Sequence, residues 1–266
     1  MLQGEPAHPQ FLGLGIGLVM LLSMVGIGLR LVRWGLGGRA AGGGGFSVEA
    51  SGGSPLGLLG WVPAAAALGF GVWSYVGFAL ALVGPPRASS VIVLILAGIA
   101  MGGGCWLELV RSTASACRAA CGGKGRDGWL WLAWMFTIVA VITLATINSL
   151  TPPREGDTLQ GYLLTARWIA HHGLEYCPYN PRYSLMPFHT ELVHALALSL
   201  GTEFASSGLD HFLSMMFLLG IQALALTWSS WSFAVLAMAG LVTTTEVMGN
   251  WSSGKINVLA GFLVFE

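Results

Sequence analysis

The sequence predicts an all-α, polytopic transmembrane helical bundle of about six or seven spans, with interfacial helices in one long exterior loop. Three observations predict it. Hydrophobic residues make up 55% of the chain and charged residues only 9%, with a mean hydropathy of +0.72, far from the composition of soluble domains. Apolar windows recur at the length a membrane helix needs, about 20 residues for a hydrocarbon layer of roughly 30 Å. One polar stretch, Thr151 to Phe204, interrupts them and holds four of the six histidines. The 12 basic and 12 acidic residues balance, which argues against the net positive charge of a nucleic-acid footprint.

Four spans come first: Phe11 to Trp34, Leu56 to Val83, Val91 to Val110 and Trp129 to Leu150. They make residues 1–150 an N-terminal four-span region. Residues 151–207 form the exterior loop, and 208–266 hold further spans, Leu209 to Trp228 and Trp231 to Met248, then an apolar run from Ile256. That run is too short to cross by itself, so the chain is expected to be the front part of a longer protein. Met1 to Gln10 has no Lys or Arg and leads into a segment of full spanning length, so the first span is expected to stay as an anchor.

Lys and Arg in short loops mark the cytoplasmic side. Arg30, Arg33 and Arg39 flank the exit of the first span, and Arg111, Arg118, Lys124 and Arg126 lie between spans three and four, against only Arg87 between two and three. The N-terminus and the 151–207 loop are therefore expected on the extracytoplasmic face of the cell membrane, together with Asn250 to Lys255.

The Gly-rich segment Gly35 to Pro55 reads as a flexible linker, and neither it nor CGGKGRDG carries a phosphate-loop pattern. Gly13 and Gly17 form a GxxxG in the first span, a spacing that permits close helix contact. Cys117 and Cys121 lack partner histidines, and Cys177 stands alone in its loop, so free thiols are expected.

Inside the polar stretch, Leu159, Tyr162, Leu163, Ala166, Ile169 and Ala170 recur at helical spacing, with Gln160, Arg167 and His171 on the other side. Asp157 stands at the N-cap position, Gln160 completes a capping-box pattern, and Gly173 supplies a stop. A short polar helix of this kind lies along the membrane surface, with Tyr162 and Trp168 at headgroup depth. Pro178, Pro181 and Pro187 then break the chain before a second amphipathic segment from Phe188, its apolar side formed by Leu192, Ala195, Leu196 and Leu200. His189, Glu191 and His194 do not make a metal site of the HExxH type: His189 and His194 are five residues apart, about 140° around a helix.

This order resembles the first exterior loop of GT-C-fold membrane glycosyltransferases, in particular bacterial relatives of the protein O-mannosyltransferases and lipid A aminoarabinose transferases. The residues that carry the resemblance are Asp157, Leu159, Gly173, Asn180, Ser184, Pro187, Glu191 and Leu192. It covers the chain from Pro152 onward. The resemblance implies transfer of a sugar from a polyprenyl-phosphate donor to an acceptor on the extracytoplasmic face. Asp157 would be the general base on the acceptor hydroxyl, compatible with its oxygen also capping the helix. Arg182, Lys255 and His172 are candidates to meet the leaving phosphate, and Glu191 and Asn257 complete the substrate-binding set. These residues assign no cofactor; a divalent cation is compatible with them. Membrane lipid is the other expected partner, along with a second polypeptide if the chain's own helices do not enclose the donor. The chain departs from the family pattern in two places: Gly161 and Tyr162 stand where many relatives have Tyr-His, and Asn257 stands where a second acidic residue is usual. A non-catalytic membrane anchor or lipid-binding subunit is the alternative. Transport is expected less, because the charges fall at span ends.

Overall fold

The computed structural model describes residues 9–37, 55–107, 109–111, 136, 139–140, 142–147, 150, 163–179, 189–201, 203–228, 237 and 240. Asp157, Arg182, Lys255 and Asn257 lie outside the described residues, as do most of Trp129 to Leu150 and of Trp231 to Met248. Six helices organise what is described: α1 (Pro9–Gly37), α2 (Pro55–Val83), α3 (Ala88–Met101), α4 (Leu163–His172), α5 (His189–Ser199) and α6 (Glu203–Trp228). No strand occurs among the described residues.

Three of these helices are long and apolar enough to cross a membrane: Pro9–Gly35, Trp61–Val83 and Glu203–Ala225. Together they make the chain a multi-span membrane protein. The third predicted span differs from a straight rod. Ala88–Met101 and Gly103–Arg111 meet at an angle of 61°. The break falls at Gly102, ahead of Gly103 and Gly104, and the Trp106 indole packs across it into the space that a Gly102 side chain would fill, its N–H donating to the Ile99 carbonyl at 3.2 Å.

Helix α1 is the centre of the bundle and packs against α2, α3 and α6. A side chain on Gly28 would meet Ala65 and one on Gly69 would meet Met24, so α1 and α2 run antiparallel with their backbones close. The Ser23 hydroxyl donates to the Leu94 carbonyl at 3.2 Å, and Gly26 faces Gly98, so α3 runs parallel to α1. The GxxxG of the first span proves to be the α1–α6 crossing. A Cβ on Gly17 would stand 2.5 Å from the Leu209 nitrogen and 2.9 Å from the Gly208 carbonyl oxygen, and one on Gly208 would stand 2.6 Å from the Gly13 carbonyl oxygen. Lipid tails give helices no hydrophobic reason to associate, and close backbone approach supplies dispersion contact instead. The buried core around the crossings includes Met20, Met24, Phe70, Trp73, Leu209 and Leu213.

The same end of the bundle carries the start of α1, the end of α2, and helices α4 and α5. Helix α4 buries Leu163, Ala166 and Ile169, the stripe read from the sequence, and leaves His171 and His172 exposed. It stops at Gly173, whose φ of +72° is a conformation that L side chains rarely adopt. The Gly173 amide closes the helix on the Ile169 carbonyl at 2.9 Å, and the Leu174 amide donates to Ala81 of α2 at 3.0 Å. Helix α5 departs from its amphipathic reading. Leu192, Ala195 and Leu196 are buried as expected, but so are Thr190, Glu191, Val193, His194 and Ala197. It is enclosed by α2, α4 and α6, so its polar residues are covered by neighbouring helices.

Candidate functional site

Helix α6 begins at Glu203, six residues before the span expected from Leu209. The earlier start puts Asp210 seven residues inside the helix, about 10 Å from its end at about 1.5 Å per residue. Asp210 and His211 are therefore interior residues of a candidate span, and both are buried. This corrects the expectation that the charges sit only at span ends, and with it the argument against transport. Ionisable groups at such depth mark function more often than packing.

Two connected groups are built there. The His194 Nε2 of α5 lies 2.8 Å from the Asp210 Oδ1 of α6, with both side chains almost fully buried at 2% and 5% exposure. Next to Asp210, the His211 Nε2 lies 3.3 Å from the Thr146 hydroxyl. That hydroxyl donates its one proton to the Ile142 carbonyl at 2.6 Å, so the His211 Nε2 is the donor toward it. The pair thus joins α5 to α6, and His211 joins α6 to the helical segment 142–147.

Burial alone would lower the pKa of His194. The Asp210 carboxylate, the hydrogen bond it accepts and the nearby Glu191 outweigh that penalty, and hold the imidazole above its ordinary value of 6.5. The second oxygen of Asp210, Oδ2, is buried and has no hydrogen-bond partner among the described residues. Neither polar atom of the Gln222 side chain has one either, although the residue is fully buried. Ser207, His211, Ser214 and Gln222 follow one another at intervals of four, three and eight residues, a spacing that puts them on one face of α6, and all four are buried.

Of the residues expected to bind substrate, the structure describes Glu191 and His172 and keeps them in different settings. Glu191 is 1% exposed, its Oε2 accepting from the Thr190 hydroxyl at 3.4 Å, and it faces His194 inside the bundle. The packing places Glu191 in the buried polar cluster with His194 and Asp210. His172 stays outside. It stacks on Trp168 with ring centroids 3.9 Å apart, and its Nδ1 lies 3.2 Å from the Trp168 carbonyl. Tyr179 meets the same indole edge-on at 6.1 Å, and the indole N–H donates to Glu175 at 3.1 Å. Arg167, on the polar side of α4, pairs with Glu203 at the start of α6. Among the described residues, no group of three or more His, Cys, Asp or Glu side chains is arranged to hold a metal ion. Cys105 and Cys177 are free thiols.

Hydropathy does not single out Asp210 and His211, because it places them at the edge of an apolar window. The signal that finds them is the polar periodicity of SSGLDHFLS, with Ser207, Asp210, His211 and Ser214 at three- and four-residue spacing. Comparison of the chain with protein families, with curated proteins and with solved structures gives no match.

Proposed function

We propose that the chain is a GT-C-type membrane glycosyltransferase, or part of one, with about six or seven spans. It moves a sugar from a polyprenyl-phosphate donor to an acceptor on the extracytoplasmic face of the cell membrane. Asp157 serves as general base on the acceptor hydroxyl, and Arg182, Lys255 and His172 meet the charge of the leaving phosphate. The observation that carries this reading is the motif order from Asp157 through Gly173 to Glu191 and Leu192. Two structural features support it. Gly173 occupies a left-handed turn that docks α4 onto α2, which gives that motif position a physical reason. His172 lies exposed at the bundle end where α1 and α6 begin, the depth at which a lipid-linked phosphate would sit. Glu191 and Asn257 complete the substrate-binding set, Glu191 as a buried neighbour of His194.

The test is sugar transfer from a polyprenyl-phosphate donor by the full chain in membranes. Asp157→Asn abolishes turnover at unchanged expression if the carboxylate is the base, a general-base contribution being typically 10²–10⁴-fold. Unchanged turnover in that variant removes Asp157 from the mechanism.

A further inference from the structure

We infer that the end of the bundle opposite α4 and α5 binds an anionic phospholipid, its phosphate met by Arg30 and Arg33 of α1 where the second piece of the third span turns aside. The inference stands whether or not the chain transfers sugar, because it uses none of the residues expected at the sugar site. Depth comes first. The span Pro9–Gly35 has 27 residues, about 40 Å at about 1.5 Å per residue, against roughly 30 Å of hydrocarbon and roughly 40–45 Å with the headgroup layers. Arg30 and Arg33 stand close before its end, about 7 and about 3 Å inside it, and so at the level of the lipid phosphates. The neighbouring α3 has only 14 residues, about 21 Å, too short to cross by itself. Its continuation Gly103–Arg111 leaves at 61° and therefore runs mostly sideways, at the depth of those arginines. Leu107, Val110 and Arg111 are exposed on it, the pattern of a helix that lies in the interface.

Chemistry and charge then name the ligand. Helix α3 keeps one register beside α1 up to the bend, with Gly98 against Gly26, and past it the Arg33 Nη1 lies 3.9 Å from the Cys105 Sγ. One guanidinium is thus carried into the angle between the two elements. The other, of Arg30, lies over the Trp34 ring, 5.3 Å from its centroid, and Trp34 is 61% exposed. A guanidinium held over an indole still has its in-plane N–H donors, whose fork matches two oxygens of a phosphate. The sequence of α1 and of 103–111 holds one acid, Glu108, against Arg30, Arg33 and Arg111. Seven of the twelve basic residues and three of the twelve acidic ones fall in 30–55 and 103–128, the stretches that begin at this end. A chain that is neutral overall is therefore positive here. A zwitterionic headgroup brings no net charge to that field, whereas an anionic one does, and each basic residue at a membrane surface favours it about fivefold.

The experiment is native mass spectrometry of the full chain, delipidated in detergent and titrated with phosphatidylglycerol or with phosphatidylcholine of the same acyl chains. The wild type is expected to prefer phosphatidylglycerol by about 25-fold, fivefold for each of the two arginines, and Arg30→Gln/Arg33→Gln to lose that preference. Arg87→Gln, which removes an exposed arginine at the other end of the bundle, is expected to keep it. Equal affinity of the wild type for the two lipids overturns the proposal without any variant. It is equally overturned by a glutamine double variant, monodisperse in detergent, that keeps the preference, or by an equal loss in Arg87→Gln. Displacement of phosphatidylglycerol by millimolar inorganic phosphate overturns it as well, since the ligand would then be a free anion.

Discussion

Replacing Gly17 by alanine tests the packing on which the bundle rests. The added Cβ would lie 2.5 Å from the Leu209 nitrogen and 2.9 Å from the Gly208 carbonyl oxygen, whereas ordinary contact begins at 3.4 Å. Both are backbone atoms and no rotamer relieves them, so α1 and α6 must separate by about 0.9 Å, the difference between 3.4 and 2.5 Å. A gap of roughly 0.5–1 Å forfeits a quarter to a half of each dispersion contact across the crossing. Overpacking of this kind costs about 1–3 kcal/mol. Gly15 is the internal control, being exposed two residues away with nothing within 4 Å of its Cβ position. There alanine is neutral or stabilises by up to about 1 kcal/mol through helix propensity. The assay is loss of the monodisperse peak of detergent-solubilised protein with temperature. Gly17→Ala is expected to lower the midpoint by about 2–12 °C, at roughly 2–4 °C per kcal/mol, and Gly15→Ala not to lower it. Equal midpoints for the two variants would refute the close crossing.

Other outcomes follow from the same geometry. Asp210→Ala or His194→Ala alone strands a buried partner and is expected to cost about 3–5 kcal/mol, read as the same thermal midpoint, whereas an apolar pair of similar volume at both positions restores most of it. The His194 pKa is raised in the fold, so its stabilisation is fully present below the unfolded value of 6.5 and is lost as pH rises through the folded value. The midpoint gap between wild type and His194→Gln is therefore expected to narrow toward alkaline pH. Gly173→Ala forces a side chain into a φ of +72° with its Cβ 2.7 Å from the Ala81 carbonyl oxygen, and is expected to cost more than about 1 kcal/mol and to expose the α4 end to proteolysis. Glu203→Gln breaks an ion pair whose side chains are 38% and 47% exposed, and is expected to change the midpoint by less than the equivalent of about 1 kcal/mol.

What was legible in the sequence is what hydropathy and backbone chemistry encode locally. Spans one and two match α1 and α2 to within three residues at either end, because long apolar runs leave no other way to satisfy the backbone in lipid. The α4 stripe and its stop at Gly173 were legible for the same reason: periodicity and a glycine stop act within one or two turns. The bend at Gly102 was legible in principle, since Gly102 to Gly104 interrupt the third window, but hydropathy averages over it. The burial of α5 was not legible. Its polar residues Thr190, Glu191 and His194 imitate a solvated face, and only the arrival of Asp210, sixteen residues beyond His194, turns that face inward. The pairing is tertiary, so no window within α5 contains it.

The pair also carries a consequence for how the loop is held. Helix α4 is tied to α2 through the Leu174 amide and to α6 through Arg167 and Glu203, while α5 is fixed by its ion pair and by the Ser74 hydroxyl of α2, which lies 3.3 Å from the His189 carbonyl. These ties leave little need for a charged pair as a fastener, and two apolar side chains of similar volume would keep most of the stability. What an imidazole and a carboxylate add over such a pair is register, because one 2.8 Å hydrogen bond fixes which turn of α5 meets α6, whereas apolar contacts allow sliding. An apolar pair at both positions is then expected to keep most of the thermal midpoint while exchange protection of the α5 amides falls, and α5 protection equal to that of the wild type would remove this role.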